Sequence, residues 1–280
     1  MEIEALVSAA TKGNKNALEQ IAVSIQDRIY ALALRMLANP MDAQDATQEI
    51  LIKVITNLST FKFNSQFTTW VYRIAVNHLI NSKKMLDKEL GLTFDMYRED
   101  LESDLQAPSH WQEDAHVDVL LNELRISCTM AMLLCLKPVY RMAYILGDIL
   151  DMEHQEASDI LSISKDNFRQ QLSRARAKII NFMNTSCGFV NHCAKCSCEK
   201  KLTGAISRER INPDSIFFST KNQYTYSEIK ESLATTQQDL KALASQKSIQ
   251  TYKSPIELGG MIESLINEGI RLRKNTRITQ

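Results

Sequence analysis

The segment from Asn167 to Lys178 constrains the fold most, because its apolar residues recur with the period of an amphipathic helix. Those residues share one face at spacings of four, three and four: Phe168, Leu172, Ala175 and Ile179. The other face carries amide, hydroxyl and guanidinium groups: Asn167, Gln170, Ser173 and Arg174, flanked by Arg169 and Arg176. Such groups can bind base edges and phosphates in the major groove of DNA. A solvated amphipathic helix without a ligand explains the segment alone equally well.

The residues before this segment favour DNA binding. A short helix is predicted from Glu153 to Leu161, residues 162–164 form a turn, and Ser164 is a good N-cap for the next helix. This is the helix-turn-helix arrangement, although the turn has no glycine. Residues 162–201 hold eight Lys or Arg against two Asp or Glu, whereas the whole chain balances at 33 against 33. Local basicity of this kind is expected of a module that contacts phosphates.

Composition predicts an all-α protein of two or more small domains. The chain has 280 residues, 44% of them hydrophobic, with only eight Gly and five Pro. It shows neither a signal region nor an apolar run long enough to span a membrane, so we expect a cytoplasmic protein without membrane insertion. No Gly-rich phosphate loop, GxSxG or HExxH motif is present, so an enzyme is not expected.

A second helix is predicted to begin at Asn39-Pro40, with a cap-competent Asn and a Pro suited to the first turn. Its apolar stripe is Ile50, Leu51, Val54, Ile55 and Leu58, and acidic residues share another face: Asp42, Asp45 and Glu49. Favourable interaction with the helix dipole explains Asp42 and Asp45. It explains Gln48 and Glu49, one turn further in, less well.

The loop Ser59–Phe67 contains three Phe and leads into a helix that Thr68 is predicted to cap. The inward face of that helix is Val71, Tyr72, Ala75, Val76 and Leu79, and the outward face is Trp70, Arg73, Asn77, Asn81 and Lys84. Aromatic, amide and cationic groups together suit unstacked bases and phosphates. The alternative is that Trp70 is buried against the preceding helix.

Three segments resemble regions two and four of bacterial RNA polymerase sigma factors of the extracytoplasmic-function group: DAQDATQEILIKV, FTTWVYRIAVNHLINSKK and LKPVYRMAYILGDILDMEHQEASDILSISKDNFRQQLSRARAKI. The resemblance covers roughly residues 5–85 and 119–183, with both motifs in the right order. It implies region two over residues 1–85, an acidic linker over 86–118, region four over 119–185 and an extension over 186–280.

The resemblance also implies partners and site residues. Core RNA polymerase would bind Asp45, Gln48 and Glu49. The minus-ten promoter element would be melted and held by Phe61, Lys62, Trp70, Arg73, Asn77, Asn81 and Lys84. The minus-thirty-five element would be read by Ser164, Lys165, Asn167, Arg169, Gln170, Ser173, Arg174 and Arg176. Family members often have Gly-Thr-Val-Lys where this chain has Asp166-Asn167-Phe168-Arg169, so the upstream sequence preference does not carry over.

The linker is strongly acidic. Asp87 to Asp118 contains ten acidic and two basic residues, a net charge of −8. Such a block is typical of a disordered, solvated spacer. In the family the linker runs through a basic cavity meant for RNA, and its acidity suits that path as well.

The extension begins with a cluster of cysteines. Cys187, Cys193, Cys196 and Cys198 lie within twelve residues, together with His192. Thiolate and imidazole groups at this spacing suit a zinc ion, and a Cys-x-Cys pair also suits Cu(I). Some family members have a similar CGxVN…CxC segment, which favours Cys187, Cys196 and Cys198 as ligands. Redox-reactive thiols and thiols without a role are the alternatives.

Further along, Asn212–Phe218 is predicted to be extended, and helices are predicted over Tyr226–Ser245 and Pro255–Lys274. A regulatory or partner-binding appendage is the hypothesis for these residues.

A sigma factor is therefore the predicted function, with core polymerase and promoter DNA as partners. The alternative is a stand-alone helix-turn-helix regulator that senses metal or redox state through the Cys cluster. That alternative leaves the faces of Trp70–Lys84 and Asp42–Glu49 unexplained. The sequence does not reveal whether an anti-sigma factor binds.

Overall fold

The computed structural model describes residues 3–81, 91–106, 115–219, 224–248 and 252–256. Within these ranges the regular structure is helical, apart from an isolated antiparallel bridge between Asn212 and Ser215, which confirms the all-α prediction. The chain divides into two compact units. The first comprises residues 1–82, 160–162 and 251–280, and the second comprises 83–159 and 163–250. None of the helices described is both long and apolar enough to cross a membrane.

Within the described residues, the first unit contains four α-helices: α1 (Ile3–Thr11), α2 (Lys15–Leu37), α3 (Pro40–Asn57) and α4 (Phe67–Asn81). The predicted cap of α3 is confirmed, since the Asn39 side chain accepts a hydrogen bond from the Asp42 N–H at 3.0 Å. Helix α4 begins at Phe67, one residue before the predicted cap Thr68. The core is formed by fully buried side chains from all four helices, among them Val7, Ile21, Leu32, Ile50, Val54 and Leu79.

A short C-terminal segment packs against α2 within this unit. The Arg35 guanidinium lies 5.9 Å from the centre of the Tyr252 ring, and the Ser254 N–H donates to Asp27 at 2.8 Å. Residues 252–256 are not helical, and the rest of the predicted helix Pro255–Lys274 lies outside the described residues.

The second unit contains the other helices of the described residues, except that the last two residues of α8 are assigned to the first unit: α5 (Phe94–Glu102), α6 (Ala115–Leu134), α7 (Pro138–Tyr144), α8 (His154–Leu161), α9 (Lys165–Ser186), α10 (Cys198–Ser207), α11 (Tyr226–Ser232) and α12 (Gln238–Lys247). A π-helical turn, Ile145–Ile149, follows α7. Helix α9 packs against α7 and α12, whereas α10 and α11 pack against α6. Residues 186–248 are therefore folded into the same unit as the helix-turn-helix.

Glu123 of α6 binds residues 217–219 of the extension. Its carboxylate is almost fully buried and accepts backbone N–H groups of Phe217, Phe218 and Ser219 at 2.9, 2.8 and 2.6 Å. Burial raises the pKa of Glu123, and the three backbone hydrogen bonds act against that rise. The predicted Asn212–Phe218 segment thus ends at Glu123, and its N–H groups stabilise that buried carboxylate by hydrogen bonding.

The predicted helix Tyr226–Ser245 is wrong as a single element, because α11 ends at Ser232 and α12 begins at Gln238. The break contains Thr235 and Thr236, and β-branched side chains of this kind lower helix propensity. Each of the two shorter helices then packs separately, α11 on α6 and α12 on α9.

The linker also differs from the disordered spacer that its charge predicts, because residues 94–102 form α5. Thr93 caps this helix, accepting the Met96 N–H at 3.2 Å. The rings of Phe94 and Tyr97 lie 5.1 and 5.6 Å from that of Phe182 in α9. An apolar stripe one turn wide is enough to dock the helix despite the surrounding acids.

Candidate functional site

The turn before α9 forms without glycine because Ser162 adopts the left-handed conformation that glycine usually supplies. Its φ is +56°. The Ile163 N–H donates to the Ser158 carbonyl at 3.1 Å, and the Ser164 hydroxyl accepts the Asn167 N–H at 3.2 Å. The predicted N-cap of α9 is therefore confirmed.

Helix α9 separates its two faces as predicted. Phe168, Leu172, Ala175 and Ile179 are all buried. Seven of the residues predicted to bind the minus-thirty-five element are exposed: Ser164, Lys165, Asn167, Arg169, Gln170, Ser173 and Arg174. Polar and cationic side chains are thus backed by a rigid apolar face, a geometry suited to a major groove. Their contact with DNA stays a prediction.

The eighth residue, Arg176, is half-buried and paired with an acidic side chain of the protein. Its Nε and a terminal nitrogen donate to the two carboxylate oxygens of Asp148 at 2.9 and 2.5 Å. This hydrogen bonding raises the pKa of the guanidinium. Asp148 is buried within the π-helical turn, and the sequence gives no signal of the pairing because the two residues are 28 positions apart. Only part of the Arg176 guanidinium is left to contact a phosphate.

An aromatic cluster links the loop Ser59–Phe67 to α4. Phe61 is buried, and its ring centre lies 4.7 Å from that of Phe63 and 5.5 Å from those of Phe67 and Trp70. Trp70 stacks on Phe67 at 5.8 Å and is half-buried. Phe63 is 51% exposed with a φ of +57°, which is uncommon outside glycine. Trp70 is therefore neither fully outward-facing nor fully buried against the preceding helix.

The remaining predicted minus-ten residues have different degrees of exposure. Lys62, Asn77 and Asn81 are exposed, and Arg73 is half-buried. The Asn81 amide donates to the Asn77 carbonyl at 2.9 Å, one turn earlier in α4. Lys84 lies outside the described residues. The described members therefore place amide groups on one side of α4.

On α3, the predicted polymerase-binding residues share an accessible face. Asp45 and Glu49 are exposed and Gln48 is half-buried. Glu49 lies 3.5 Å from His78 of α4, and Lys53 lies 2.7 Å from the other ring nitrogen of His78. Burial, followed by the Lys53 charge, lowers the pKa of His78.

The predicted metal-binding cysteines do not form one group. Cys187, Cys196 and Cys198 line a cavity of about 30 Å³, joined there by Cys128 of α6, whereas Cys193 is exposed and does not line it. Burial raises the pKa of the Cys128 thiol to about 11 and that of Cys196 to about 12. In the described part of the chain, no three His, Cys, Asp or Glu side chains are placed to hold a metal ion. Zinc binding by these cysteines stays a prediction.

Comparison with known proteins matches two segments of the chain to families. Residues 22–88 match Sigma-70 region 2, and residues 126–179 match Sigma-70, region 4. The chain is 32% identical over 186 residues to the ECF RNA polymerase sigma factor SigW of Bacillus subtilis, covering 63% of this chain and 94% of that protein. It is 26% identical over 158 residues to the ECF RNA polymerase sigma factor SigE of Mycolicibacterium smegmatis, covering 56% and 58% of the two chains. CnrH, solved in complex with the cytosolic domain of CnrY, is a structural neighbour with 20% identity and a TM-score of 0.44, covering 64% of this chain and 96% of that one.

Proposed function

Because this chain belongs to the extracytoplasmic-function family of RNA polymerase sigma factors, which bind core RNA polymerase and direct promoter-specific transcription initiation, we propose how its surfaces divide that work. Sigma factors carry out no covalent chemistry, so each surface acts by binding. The observation that supports the division best is the exposed polar face of α9, backed by a buried apolar face. We assign region two to residues 1–85 and region four to residues 119–185, in the cytoplasm, where core polymerase and promoters are found.

Helix α9 reads the minus-thirty-five element. Amides such as Asn167 and Gln170 suit adenine edges, and Arg174 suits guanine edges or phosphates. Arg176 contributes less directly, because its pairing with Asp148 fixes α9 to the turn after α7. The exposed cations near the start of α9, Lys165 and Arg169, favour phosphate contact and hence salt-dependent binding.

The aromatic cluster and α4 hold the opened minus-ten strand. Phe63 and Trp70 offer accessible ring surface beside Lys62, and stacking on such rings contributes about 1–3 kcal/mol per base. Asn77 and Asn81 supply exposed amides further along α4. Unpaired bases can use both kinds of group, whereas bases in a duplex are already stacked and paired.

Helix α3 binds core polymerase through Asp45, Gln48 and Glu49. Two of these three side chains are exposed carboxylate groups on a helix whose opposite face is fully packed. Rigid presentation of charge favours fast and specific association with a basic partner surface.

The test is run-off transcription with purified core polymerase on the DNA upstream of the protein's own gene. We expect defined transcripts only when the protein is present. The double variant Asp45→Lys and Glu49→Lys should lose both transcripts and core binding, whereas Glu19→Lys, an exposed reversal on α2, should keep them. Binding to promoter DNA at full affinity without polymerase, and no binding to core, would instead identify a stand-alone regulator.

A further inference from the structure

Basic side chains of the C-terminal extension contact the end of the linker helix α5. Four basic side chains from the extension contact acidic or carbonyl groups of the linker: Lys195, Lys201, Arg208 and Arg210. Two parts of the sequence with opposite charge, the acidic linker and the basic extension, are therefore bound to each other.

Asp100 of the linker pairs with two arginines of the extension. Arg210 donates to both of its carboxylate oxygens, one of them at 2.7 Å, and Arg208 lies 3.4 Å away. Hydrogen bonding from Arg210 is the main cause that lowers the pKa of Asp100, so its carboxylate stays charged. Arg208 also pairs with Asp104, and Lys195 with Glu102 at 2.7 Å. These pairs are partly exposed and each contributes little alone.

Lys201 makes the buried contact. Its side chain is almost fully buried, and its ammonium group donates to the carbonyl oxygens of Asp100 and Ser103 at 2.5 and 2.8 Å. The last turn of a helix leaves such carbonyls without partners and carries partial negative charge, so a cation there acts as a cap. The Gln106 N–H adds a bond to the Lys200 carbonyl at 3.0 Å.

Gly204 allows the two backbones to approach. A Cβ at this position would lie 2.8 Å from the Asp104 carbonyl oxygen, closer than real contacts allow. On the other side of α5, buried Tyr97 donates its hydroxyl to the Cys128 carbonyl at 2.9 Å. The linker helix is thus held by an apolar face along its length and by cations at its end.

We propose that the extension is a binding site for the acidic linker, and that release of the linker lets regions two and four engage both promoter elements together. This inference rests on the sigma-factor function proposed above. With α5 bound, nine residues connect Asn81 to Gly91, and the ten Cα–Cα steps limit the length of this connection to about 36 Å. With the linker released as far as Ala115, 33 residues connect the two ends, and the 34 steps allow about 120 Å. The longer connection helps each region to reach its own promoter element, since elements centred 25 base pairs apart are separated by about 85 Å along the duplex.

A methyl group at Gly204 can loosen the linker. Gly204→Ala would place a Cβ 2.8 Å from the Asp104 carbonyl oxygen, so the two backbones have to move apart. With core polymerase, this variant should raise amide hydrogen exchange across α5 and increase run-off transcription severalfold from a promoter that needs both elements. Its far-ultraviolet circular dichroism should match that of the wild type, which serves as the control for folding.

Charge reversal opens the same site. Arg208→Glu with Arg210→Glu should raise amide hydrogen exchange across α5 at least tenfold and increase two-element transcription severalfold. Glu231→Lys, an exposed charge reversal on α11, should change neither. Each variant is also assayed on a promoter that depends on the minus-ten element alone, where we expect wild-type output.

Three results would overturn the inference. They are wild-type exchange across α5 in Gly204→Ala, unchanged exchange in the charge-reversed variant, and increased exchange without increased two-element output. Absence of transcripts with the wild-type protein would be a failure of the sigma-factor function instead, so the two failures are distinguishable.

Discussion

Replacing Arg176 by alanine is expected to destabilise the second unit, whereas replacing its neighbour Arg174 is expected to weaken DNA binding alone. Asp148 has only 8% of its side chain exposed and receives two hydrogen bonds from Arg176. Removing one partner of a fully buried pair costs about 3–5 kcal/mol, whereas exposed pairs contribute about 0–1 kcal/mol. Because 42% of the Arg176 side chain is exposed, we expect a loss between these limits, about 2 kcal/mol.

That loss should lower the melting temperature by about 4–8 °C, since 1 kcal/mol corresponds to about 2–4 °C in a domain of this size. Arg174 is exposed and makes only a long contact of 3.5 Å to the Tyr140 hydroxyl. Arg174→Ala should therefore change stability by less than about 0.5 kcal/mol. It should also reduce the slope of log affinity against log salt by about one.

The assay combines thermal unfolding, followed by circular dichroism, with salt titrations of holoenzyme bound to a promoter duplex. Arg176→Lys is the matched control, because lysine keeps the charge but cannot form the two parallel hydrogen bonds. It should lie between the wild type and Arg176→Ala in stability. Wild-type stability of Arg176→Ala, together with a salt slope reduced as in Arg174→Ala, would refute the reasoning and make Arg176 a simple phosphate contact.

Two further predictions concern the other surfaces. Trp70→Ala with Asn77→Ala should spare assembly with core polymerase and impair promoter opening, because the stacking surface and an exposed amide are lost; normal permanganate reactivity of promoter thymines would exclude this role. At neutral pH, Cys193 should be the thiol that reacts fastest with Ellman's reagent, since it is exposed whereas burial raises the pKa of Cys196 to about 12; a fast phase that survives in Cys193→Ser would contradict this.

Local patterns predict the helices well where caps and periodicity agree. Ser164 and Asn39 cap the helices that the sequence assigns to them, and Phe168 to Ile179 are buried at the predicted spacing. The missing glycine in the turn is resolved by a single backbone dihedral at Ser162, which no sequence pattern specifies. The exposure of residues with proposed DNA roles on α9 could be predicted, because it follows from the helical period. The pairing of Arg176 with Asp148 could not, because it depends on tertiary contact.

Tertiary contact also explains why the docked helix in the linker and the arrangement of the cysteines were not predicted. Net charge averages over a segment, so it hides the stripe of Phe94, Tyr97 and Leu101 that docks α5 among its acids. Spacing along the chain likewise groups Cys193 with its neighbours, although the fold puts Cys128, from a helix 59 residues before Cys187, into the cavity instead. Both cases have the same cause, because elements that are distant in sequence meet in the fold: α5 packs on α9, and the extension packs on α5 and α6. The acidic linker and the extension therefore have to be varied together, because a change in either one alters the environment of the other.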